Sequence, residues 1–216
     1  MSGTVVTGSS RGIGRAVALR FAADGYDVAV NYNTSEDAAH EVAEAVRDRG
    51  QEAVVVGADV SDPDEAERLV ERAADAFDGL EHVVNNAGIN HHVYTESLSP
   101  ADFDRVMDVN VNSAFNVTKF ALSHLQSGSA SGRPSVTNVA SILAHTGEPI
   151  ECHYAASKGG IVAMTKSHAT DFAPNVRVNA VSPGHIETDM TAGRDPEEDR
   201  AQMEAIPMDR FGQPED

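Results

Sequence analysis

The chain of 216 residues is long enough for one domain with a sizeable hydrophobic core. Its 34 Asp and Glu against 16 Lys and Arg give a formal charge of −18, which repels nucleic acid and anionic membranes, so neither is expected as a partner. A single cysteine, Cys152, excludes an internal disulfide, and there is no signal-peptide pattern or bilayer-spanning apolar run, which together favour the cytoplasm.

Short β-branched runs alternate with amphipathic segments along the chain. The patterns predict strands at 4–7, 27–32, 53–57, 82–85, 135–139 and 176–181. They predict helices at 12–23, 36–49 and 64–77, two helices within 101–126 broken near 110–113, and helices at 154–171 and near 197–205. Alternation of this kind indicates parallel strands with right-handed crossovers. We therefore expect an α/β fold with a Rossmann-type doubly wound parallel sheet, in a single domain spanning 1–216.

A glycine-rich loop joins the first predicted strand to the first predicted helix. Its sequence is Thr7-Gly8-Ser9-Ser10-Arg11-Gly12-Ile13-Gly14. Glycines permit a tight turn and let backbone amides approach a pyrophosphate at the positive end of the helix. A turn that merely needs glycine is the simpler interpretation, but the position between strand and helix favours a dinucleotide site. The candidate cofactor residues here are Gly8, Ser10, Arg11, Gly12, Ile13 and Gly14.

The choice of nicotinamide cofactor depends on charge at the end of the second strand. An acid there would bind the adenosine ribose and repel a 2′-phosphate, but this strand ends in Asn31-Tyr32-Asn33. Arg11 can grip a phosphate with two hydrogen bonds, unless it is simply an exposed charge. We therefore expect NADP(H) rather than NAD(H), although Glu36 and Asp37 lie just beyond and could weaken that preference.

These motifs are similar to those of the short-chain dehydrogenase/reductase family. The glycine loop resembles its TGxxxGxG motif, and the likeness continues through Asn85-Asn86-Ala87-Gly88, Asn110, Ser141, Tyr154-x-x-x-Lys158 and Pro183-Gly184. The sequences Tyr154-Ala-Ala-Ser-Lys158 and Pro183-Gly-His-Ile-Glu-Thr188 most resemble the β-ketoacyl-carrier-protein reductase type. The resemblance implies NADPH-dependent reduction of a 3-oxoacyl thioester or similar ketone. A sugar or secondary-alcohol dehydrogenase and a catalytically idle nucleotide-binding scaffold are the alternatives.

The chemical centre is expected at Tyr154 and Lys158, which lie four residues apart on one face of a predicted helix. A nearby ammonium favours the phenolate, so Lys158 is expected to lower the pKa of Tyr154 towards neutrality. Ser141 follows the predicted strand 135–139, at the carboxyl edge where ligands bind in such sheets. Its hydroxyl would stabilise charge on the substrate oxygen, the alternative being an ordinary loop serine.

The resemblance implies further roles for residues along the chain. Lys158 would also hold the nicotinamide ribose, and Asn110 would position a water for proton relay, unless it only kinks a helix. Asp59 with Val60 would contact the adenine, unless Asp59 is a turn or cap residue. The remaining cofactor contacts implied are Asn31, Asn85, Asn86, Ala87, Gly88, Pro183, Gly184, Ile186 and Thr188. Segments 91–97, 143–152 and 188–205 would surround the substrate, with Thr188 and 189–205 as a lid, the alternative for the latter being an unstructured loop. The family is usually a homo-oligomer, dimeric or tetrameric through helices equivalent to 101–126 and 154–171.

Histidines gather near the predicted site without forming a metal-binding pattern. His91, His92, His145 and His153 lack acidic or cysteine partners at suitable spacing, so no metal is expected. Cys152 is not expected to act as a nucleophile, because Tyr154 and Lys158 already supply the chemistry.

The end of the chain and its acidity carry two further expectations. After a sequence like 211–216 the family usually continues with a helix, a seventh strand and a short tail, so this sheet is expected to lack the usual C-terminal strand and to expose an edge. Either the sequence is truncated or the protein functions without those parts. The acid excess is typical of salt-accumulating microbes, or of an ordinary acidic mesophilic enzyme.

Overall fold

The structure is a computed structural model that describes residues 3–77, 79–128, 134–192 and 196–216. The predicted lid and the predicted tail include residues 193–195, which lie outside the described residues. Over the described ranges, no helix is long and apolar enough to cross a membrane.

Within the described residues, six strands form one parallel sheet. They are β1 (Gly3–Val6), β2 (Asp27–Tyr32), β3 (Ala53–Gly57), β4 (Leu80–Asn85), β5 (Ser135–Val139) and β6 (Arg177–Val181). Their order is β3-β2-β1-β4-β5-β6, and every neighbouring pair is parallel. Each strand lies within a residue or two of its predicted position. The predicted Rossmann-type doubly wound sheet is confirmed, with β6 as an edge strand of the described part of the chain.

Helices connect the strands. They are α1 (Gly12–Ala23), α2 (Glu36–Arg47), α3 (Pro63–Ala76), α4 (Pro100–Met107), α5 (Ser113–Gly128), α6 (Leu143–Thr146), α7 (Cys152–Asp171) and α8 (Pro196–Glu204). Two starts follow simple capping chemistry. The carboxylate of Asp62 accepts the amide hydrogens of Asp64 and Glu65, and the hydroxyl of Ser99 accepts that of Asp102. Both of these helices, α3 and α4, have a proline in the first turn, where the backbone amide would have no partner within the helix and its absence costs no hydrogen bond.

The helices cover both faces of the sheet because successive strand side chains point in opposite directions. Val6 packs with the apolar faces of α1 and α2, whereas Val5 packs with those of α3 and α5. Ala169 of α7 packs against this second cluster. The two apolar layers fix the sheet between them, and they leave the carboxyl ends of the strands open for a site.

Several predicted helix boundaries are wrong, among them the end of α2, which lies at Arg47 and not at 49. The segment 101–126 does not break near 110–113, because a π-helical turn, Asp108–Asn112, joins α4 directly to α5. One extra residue per turn there lets Asn110 point into the protein without ending the helix. Helix α7 begins two residues before its predicted start, at Cys152, and the short helix α6 was not predicted.

The strand order places a crevice between β1 and β4. Connections from β1 lead away through β2 to β3, whereas those from β4 lead the other way through β5 to β6. The loops after β1 and β4 therefore diverge above the sheet, and ligands of such folds bind in the gap between them.

We predict that Leu69→Ala lowers the free energy of unfolding by about 2–5 kcal/mol, because Leu69 is fully buried between α3 and the sheet and its loss leaves a cavity. Urea unfolding followed by circular dichroism measures the change. The matched control is Glu67→Ala on the exposed side of the same helix, which should change stability by less than about 0.5 kcal/mol. Equal effects of the two substitutions would contradict this packing.

Candidate active site

The glycine-rich loop is held in shape by two asparagine side chains. Gly8 has a left-handed backbone, with φ of 61°, and its amide donates to Asn31 Oδ1 at 3.0 Å. Asn86 Nδ2 donates to the carbonyl oxygens of Thr7 at 2.9 Å and Gly8 at 3.1 Å. A Cβ at Gly14 would overlap the Gly8 carbonyl and the Asn86 amide. The loop can therefore adopt this conformation only because Gly8 and Gly14 have no side chain.

The loop ends at the positive end of α1, where an anion can bind. Arg11 is the N-cap residue, and its side chain makes no capping hydrogen bond to the helix. The first amides of α1 can therefore serve a phosphate group. A Cβ at Gly12, whose φ is 53°, would lie 3.3 Å from Thr188. The missing side chain at Gly12 thus lets Thr188 lie close against the glycine loop.

A cleft of about 640 Å³ opens above the carboxyl ends of the strands. Most of the predicted cofactor and catalytic residues line it. These are Gly8, Ser10, Arg11, Gly12, Ile13, Asn31, Asp59, Val60, Asn86, Ala87, Gly88, Ser141, Tyr154, Lys158, Pro183, Gly184, Ile186 and Thr188. Gly14 and Asn110 do not line it, and both act through neighbours that do.

Four lining residues, the last of β2 and the three that follow it, were not predicted as cofactor contacts. Residues 32–35 lie at the adenosine end of the cleft. Their position at the carboxyl end of a parallel strand could have predicted this, because the loops at that edge of the sheet bind ligands. Thr34 and Ser35 offer hydroxyl donors for a phosphate. The hydroxyl of Tyr32 hydrogen-bonds to Glu36, the acid that could weaken the preference for NADP(H).

Asp59 lies at the same end of the cleft and is held by two partners. Its Oδ1 accepts the amide of Ser61 at 3.0 Å and the Ser61 hydroxyl at 2.6 Å, while Oδ2 pairs with Arg105 at 3.2 Å. Burial acts to raise the pKa of Asp59, but these hydrogen bonds and the guanidinium outweigh it and hold the pKa below its usual value. Asp59 is therefore an ionised acceptor beside the cleft.

Asn85 does not line the cleft, contrary to expectation. Its Nδ2 donates to Asn138 Oδ1 at 2.8 Å and to Thr118 Oγ1 at 2.9 Å. It thus ties β4 to β5 and α5 within the core. Side chains of successive residues in an extended chain point to opposite sides, so Asn86 and not Asn85 faces the glycine loop.

Ser141 and Tyr154 meet at the other end of the cleft, and the pKa of Tyr154 is raised rather than lowered. Burial is the main cause, a hydrogen bond with Ser141 acts in the opposite direction, and the negative charge of Glu151 adds to the rise. The expected lowering by Lys158 is wrong for this structure. The sequence places the two residues on one face, but it does not show how strongly the phenol is desolvated.

Lys158 is buried beneath Tyr154. Its Nζ lies 5.6 Å from the centre of the Tyr154 ring and donates to the carbonyl oxygen of Val139 at 2.8 Å. Burial lowers the pKa of Lys158 to about 8. A Cβ at Gly88 would lie 3.5 Å from Nζ, an ordinary contact, and 3.2 Å from Asn110 Oδ1, which is a tight one.

Asn110 links the cleft wall to the catalytic helix. Its Oδ1 accepts the amide of Ile89 at 2.8 Å, and its Nδ2 donates to the Ile89 carbonyl at 3.0 Å and to Ser157 Oγ at 3.0 Å. Ser157 precedes Lys158 on α7. The described contacts of Asn110 therefore support a positioning role, while the predicted water relay stays a prediction.

A segment after β6 lines the cleft beside the glycine loop. Thr188 to Thr191 belong to this lining, and Thr191 Oγ1 donates to the carbonyl oxygens of Ile186 and Thr188, while the predicted lid stays a prediction. Arg11 Nη1 lies 3.5 Å from Asp189 Oδ2, and both side chains are more than half exposed. An exposed pair of this kind is weak, so Arg11 is available to a phosphate. The segments 91–97 and 143–152 lie outside this cleft's lining.

The histidines near the site pair with other groups. His92 Nε2 lies 2.8 Å from Glu151 Oε1, and the rings of His91 and His153 are 4.5 Å apart. Within the described ranges, no group of three or more His, Cys, Asp or Glu could hold a metal ion.

Comparison with known proteins identifies the family. A family model described as short chain dehydrogenase matches residues 3–199. Glucose 1-dehydrogenase 2 of Bacillus subtilis is 39% identical over 215 residues, covering 98% of this chain and 83% of the relative. The 3-oxoacyl-[acyl-carrier-protein] reductase of Synechocystis is also 39% identical, over 98% of this chain and 84% of the relative. The chain belongs to the short-chain dehydrogenase/reductase family.

Solved structures support the same assignment. A short chain dehydrogenase from Burkholderia cenocepacia in complex with NADP has a TM-score of 0.91 and 34% identity, covering 99% of this chain and 86% of that one. A dehydrogenase/reductase from Sinorhizobium meliloti has a TM-score of 0.92 and 34% identity, covering 99% and 83%.

We predict that Arg11→Gln raises the Kd for NADPH about tenfold and changes the Kd for NADH much less, because only NADPH carries the 2′-phosphate that a guanidinium can bind. Fluorescence titration of both cofactors at fixed ionic strength measures this. The matched control is Arg15→Gln, which removes an exposed charge of α1 outside the cleft. Equal weakening of both cofactors by Arg11→Gln would contradict the assignment.

Proposed function

We propose that the protein is an NADPH-dependent oxidoreductase that reduces a ketone, and in the first place the 3-oxo group of an acyl thioester. The main support for the proposal is that Ser141, Tyr154 and Lys158 lie together at one end of the cleft. The other end of the same cleft is suited to a phosphorylated adenosine. The Burkholderia protein binds NADP in its crystal structure, and the Synechocystis relative is named as a 3-oxoacyl reductase.

The protonated phenol of Tyr154 can act as the proton donor for reduction. A phenol whose pKa lies above its ordinary value of 10.0 carries its proton at neutral pH. Bound NADPH would supply hydride to the carbonyl carbon. Tyr154 gives its proton to the carbonyl oxygen, so the C=O bond becomes an alcohol and the phenol becomes a phenolate. Solvent then restores the proton.

Ser141 and Lys158 complete the site in different ways. The hydroxyl of Ser141, which interacts with Tyr154, can donate to the same substrate oxygen and stabilise the charge that develops there. The buried ammonium of Lys158 suits the ribose hydroxyls of the cofactor. Asn110 supports the turn of α7 that carries Lys158 through its hydrogen bond to Ser157.

A sugar or another secondary alcohol is the second candidate substrate. It is favoured by one observation, the identity of 39% to a relative named glucose 1-dehydrogenase, which equals the identity to the Synechocystis reductase. The same tyrosine chemistry serves both classes, since the fold does not determine the substrate.

We propose that the enzyme works as a homo-oligomer in the cytoplasm. An exposed aromatic on α5, Phe115, supports contact between copies through α5 and α7, since its side chain is 46% exposed. The one cysteine, Cys152, is free and exposed, as a reducing compartment allows. The charge of −18 argues against nucleic acid as a partner.

We predict that the purified chain oxidises NADPH in the presence of an acetoacetyl thioester, and does so faster than it oxidises NADH. The absorbance of the reduced cofactor measures the rate. Assays in low and molar KCl test the proposed salt adaptation, which predicts more activity at high salt. Faster NADP⁺ reduction with glucose than NADPH oxidation with any ketone would favour the second candidate.

The control for this assay is Tyr154→Phe, which keeps the aromatic ring and removes the phenolic hydroxyl that donates the proton. Turnover should fall by about 10³-fold, while the Kd for NADPH should change little, because general acid catalysis contributes about 10²–10⁴-fold. Unchanged turnover would contradict the proposed chemistry. A wild-type chain that binds NADPH and turns over no carbonyl or alcohol would instead support the idle scaffold.

A further inference from the structure

Asn90 belongs to the wall of the cleft and is half-buried there. The chain just before it is fixed, because both the backbone amide and the carbonyl of Ile89 are hydrogen-bonded to Asn110. Ser141 and Tyr154 line the same cleft. The direction in which the side-chain amide of Asn90 is turned therefore decides what it offers to a molecule bound there.

A carboxylate orients the amide of Asn90. Its Nδ2 donates to Oε2 of Glu151 at 2.7 Å, and Glu151 is the N-cap residue of α7, three positions before Tyr154. A carboxylate offers only acceptors, so an amide oxygen in the place of Nδ2 would face another acceptor. The contact therefore determines that Nδ2 is turned towards the start of α7, while Oδ1 is left for another partner.

Oδ1 of Asn90 is an acceptor without a partner. It is buried, and no group among the described residues donates a hydrogen bond to it. Of the described residues with such an atom, Asn90 alone lines this cleft. An unpaired buried polar atom is costly, and native proteins normally provide it with a partner. A molecule in the cleft can supply the donor, because the terminal torsion of asparagine is soft and a small rotation of the amide uncovers Oδ1.

We propose that Asn90 is a specificity-determining residue whose Oδ1 accepts a hydrogen bond from the substrate, so that the preferred ketone carries a hydroxyl or an amide N–H near its carbonyl group. The proposal rests on the proposed function, since the substrate is the ketone that is reduced at Tyr154. Ser141 and Tyr154 donate to the reacting carbonyl oxygen, whereas Asn90 accepts from a second group of the same substrate.

Two kinds of substrate carry such a donor. A sugar or another hydroxylated ketone has a hydroxyl group on the carbon next to the carbonyl. A thioester built on an N-acylated cysteamine arm has an amide N–H a few bonds further away. A ketone with neither group leaves Oδ1 unpaired, and a site that hydrogen-bonds a polar group of its substrate rejects analogues without that group for this reason.

The test compares substrates that differ only in the donor. Hydroxyacetone is compared with methoxyacetone, and the acetoacetyl thioester of N-acetylcysteamine with that of N-acetyl-N-methylcysteamine, by kcat/KM for NADPH oxidation. We expect the wild-type protein to prefer the donor-bearing member of one pair by about tenfold, and that pair identifies the donor as a hydroxyl or an amide. In Asn90→Leu, whose side chain has a similar size and no acceptor, the preference should fall to about one.

A second variant and a matched control accompany this test. Asn90→Ala leaves room for a water to pair with Glu151, and it should lose the preference as well. Asn112→Ala removes another amide that donates to a carboxylate at 2.7 Å, that of Asp108, but outside the cleft lining, so it should keep the preference. If Asn90 had only a structural role, its loss would slow both members of a pair equally. An unchanged ratio in the Asn90 variants, or a wild-type protein without a preference in either pair, would overturn the proposal.

A binding measurement separates this proposal from the proposed function. The side-chain amide signals of Asn90 are assigned by NMR from their absence in Asn90→Leu, and they are followed in the presence of NADP⁺ as each of the four compounds is added. If the wild-type protein reduces no ketone, the proposed function fails. A shift of these signals by only the donor-bearing member of a pair would still support the acceptor role of Asn90, whereas the same response to both members of each pair would contradict it.

Discussion

The buried ammonium of Lys158 is the constraint on which the site depends. Burial lowers its pKa from 10.5 to about 8, which corresponds to a cost of about 3 kcal/mol for holding the charge inside the protein. Because the pKa in the fold lies below that of the unfolded chain, the full cost applies below about pH 8 and disappears as the pH rises towards 10.5. The Val139 carbonyl offsets part of it, and a ligand rich in oxygen can offset more. The ammonium of Lys158 is therefore available to bind a ligand, and the surrounding contacts hold its side chain in position.

Two asparagines show how the fold maintains that arrangement. Asn110 holds the cleft wall to α7 through Ile89 and Ser157, next to Lys158. Asn86 holds the glycine loop after β1 to the end of β4. Both act where the strand order reverses, so the phosphate end and the chemical end of the cleft are fixed to the same sheet edge. The tertiary structure thus determines the separation between cofactor binding and proton transfer.

Much of this arrangement could be predicted from the sequence, because strands and loops of this fold carry local signals. The six strands, the glycine loop and the spacing of Tyr154 and Lys158 are of this kind. The π-helical turn could not be predicted, since it depends on the contacts that Asn110 makes at a distance. The pKa shift of Tyr154 is upward because the phenol is buried, and the spacing of residues in the sequence does not reveal that burial. The contact between Glu151 and Asn90 could not be predicted either, because the two residues lie 61 positions apart in the chain.

The most direct test of this account is the pH dependence of NADPH binding by the wild-type protein and by Lys158→Met, measured calorimetrically at constant ionic strength. If the ammonium holds the cofactor, the wild-type affinity falls as the pH rises through about 8, where Lys158 loses its charge. The Lys158→Met variant should bind more weakly at neutral pH and show no such fall. Binding by the variant with the wild-type affinity and the wild-type pH dependence would contradict the central role assigned to Lys158.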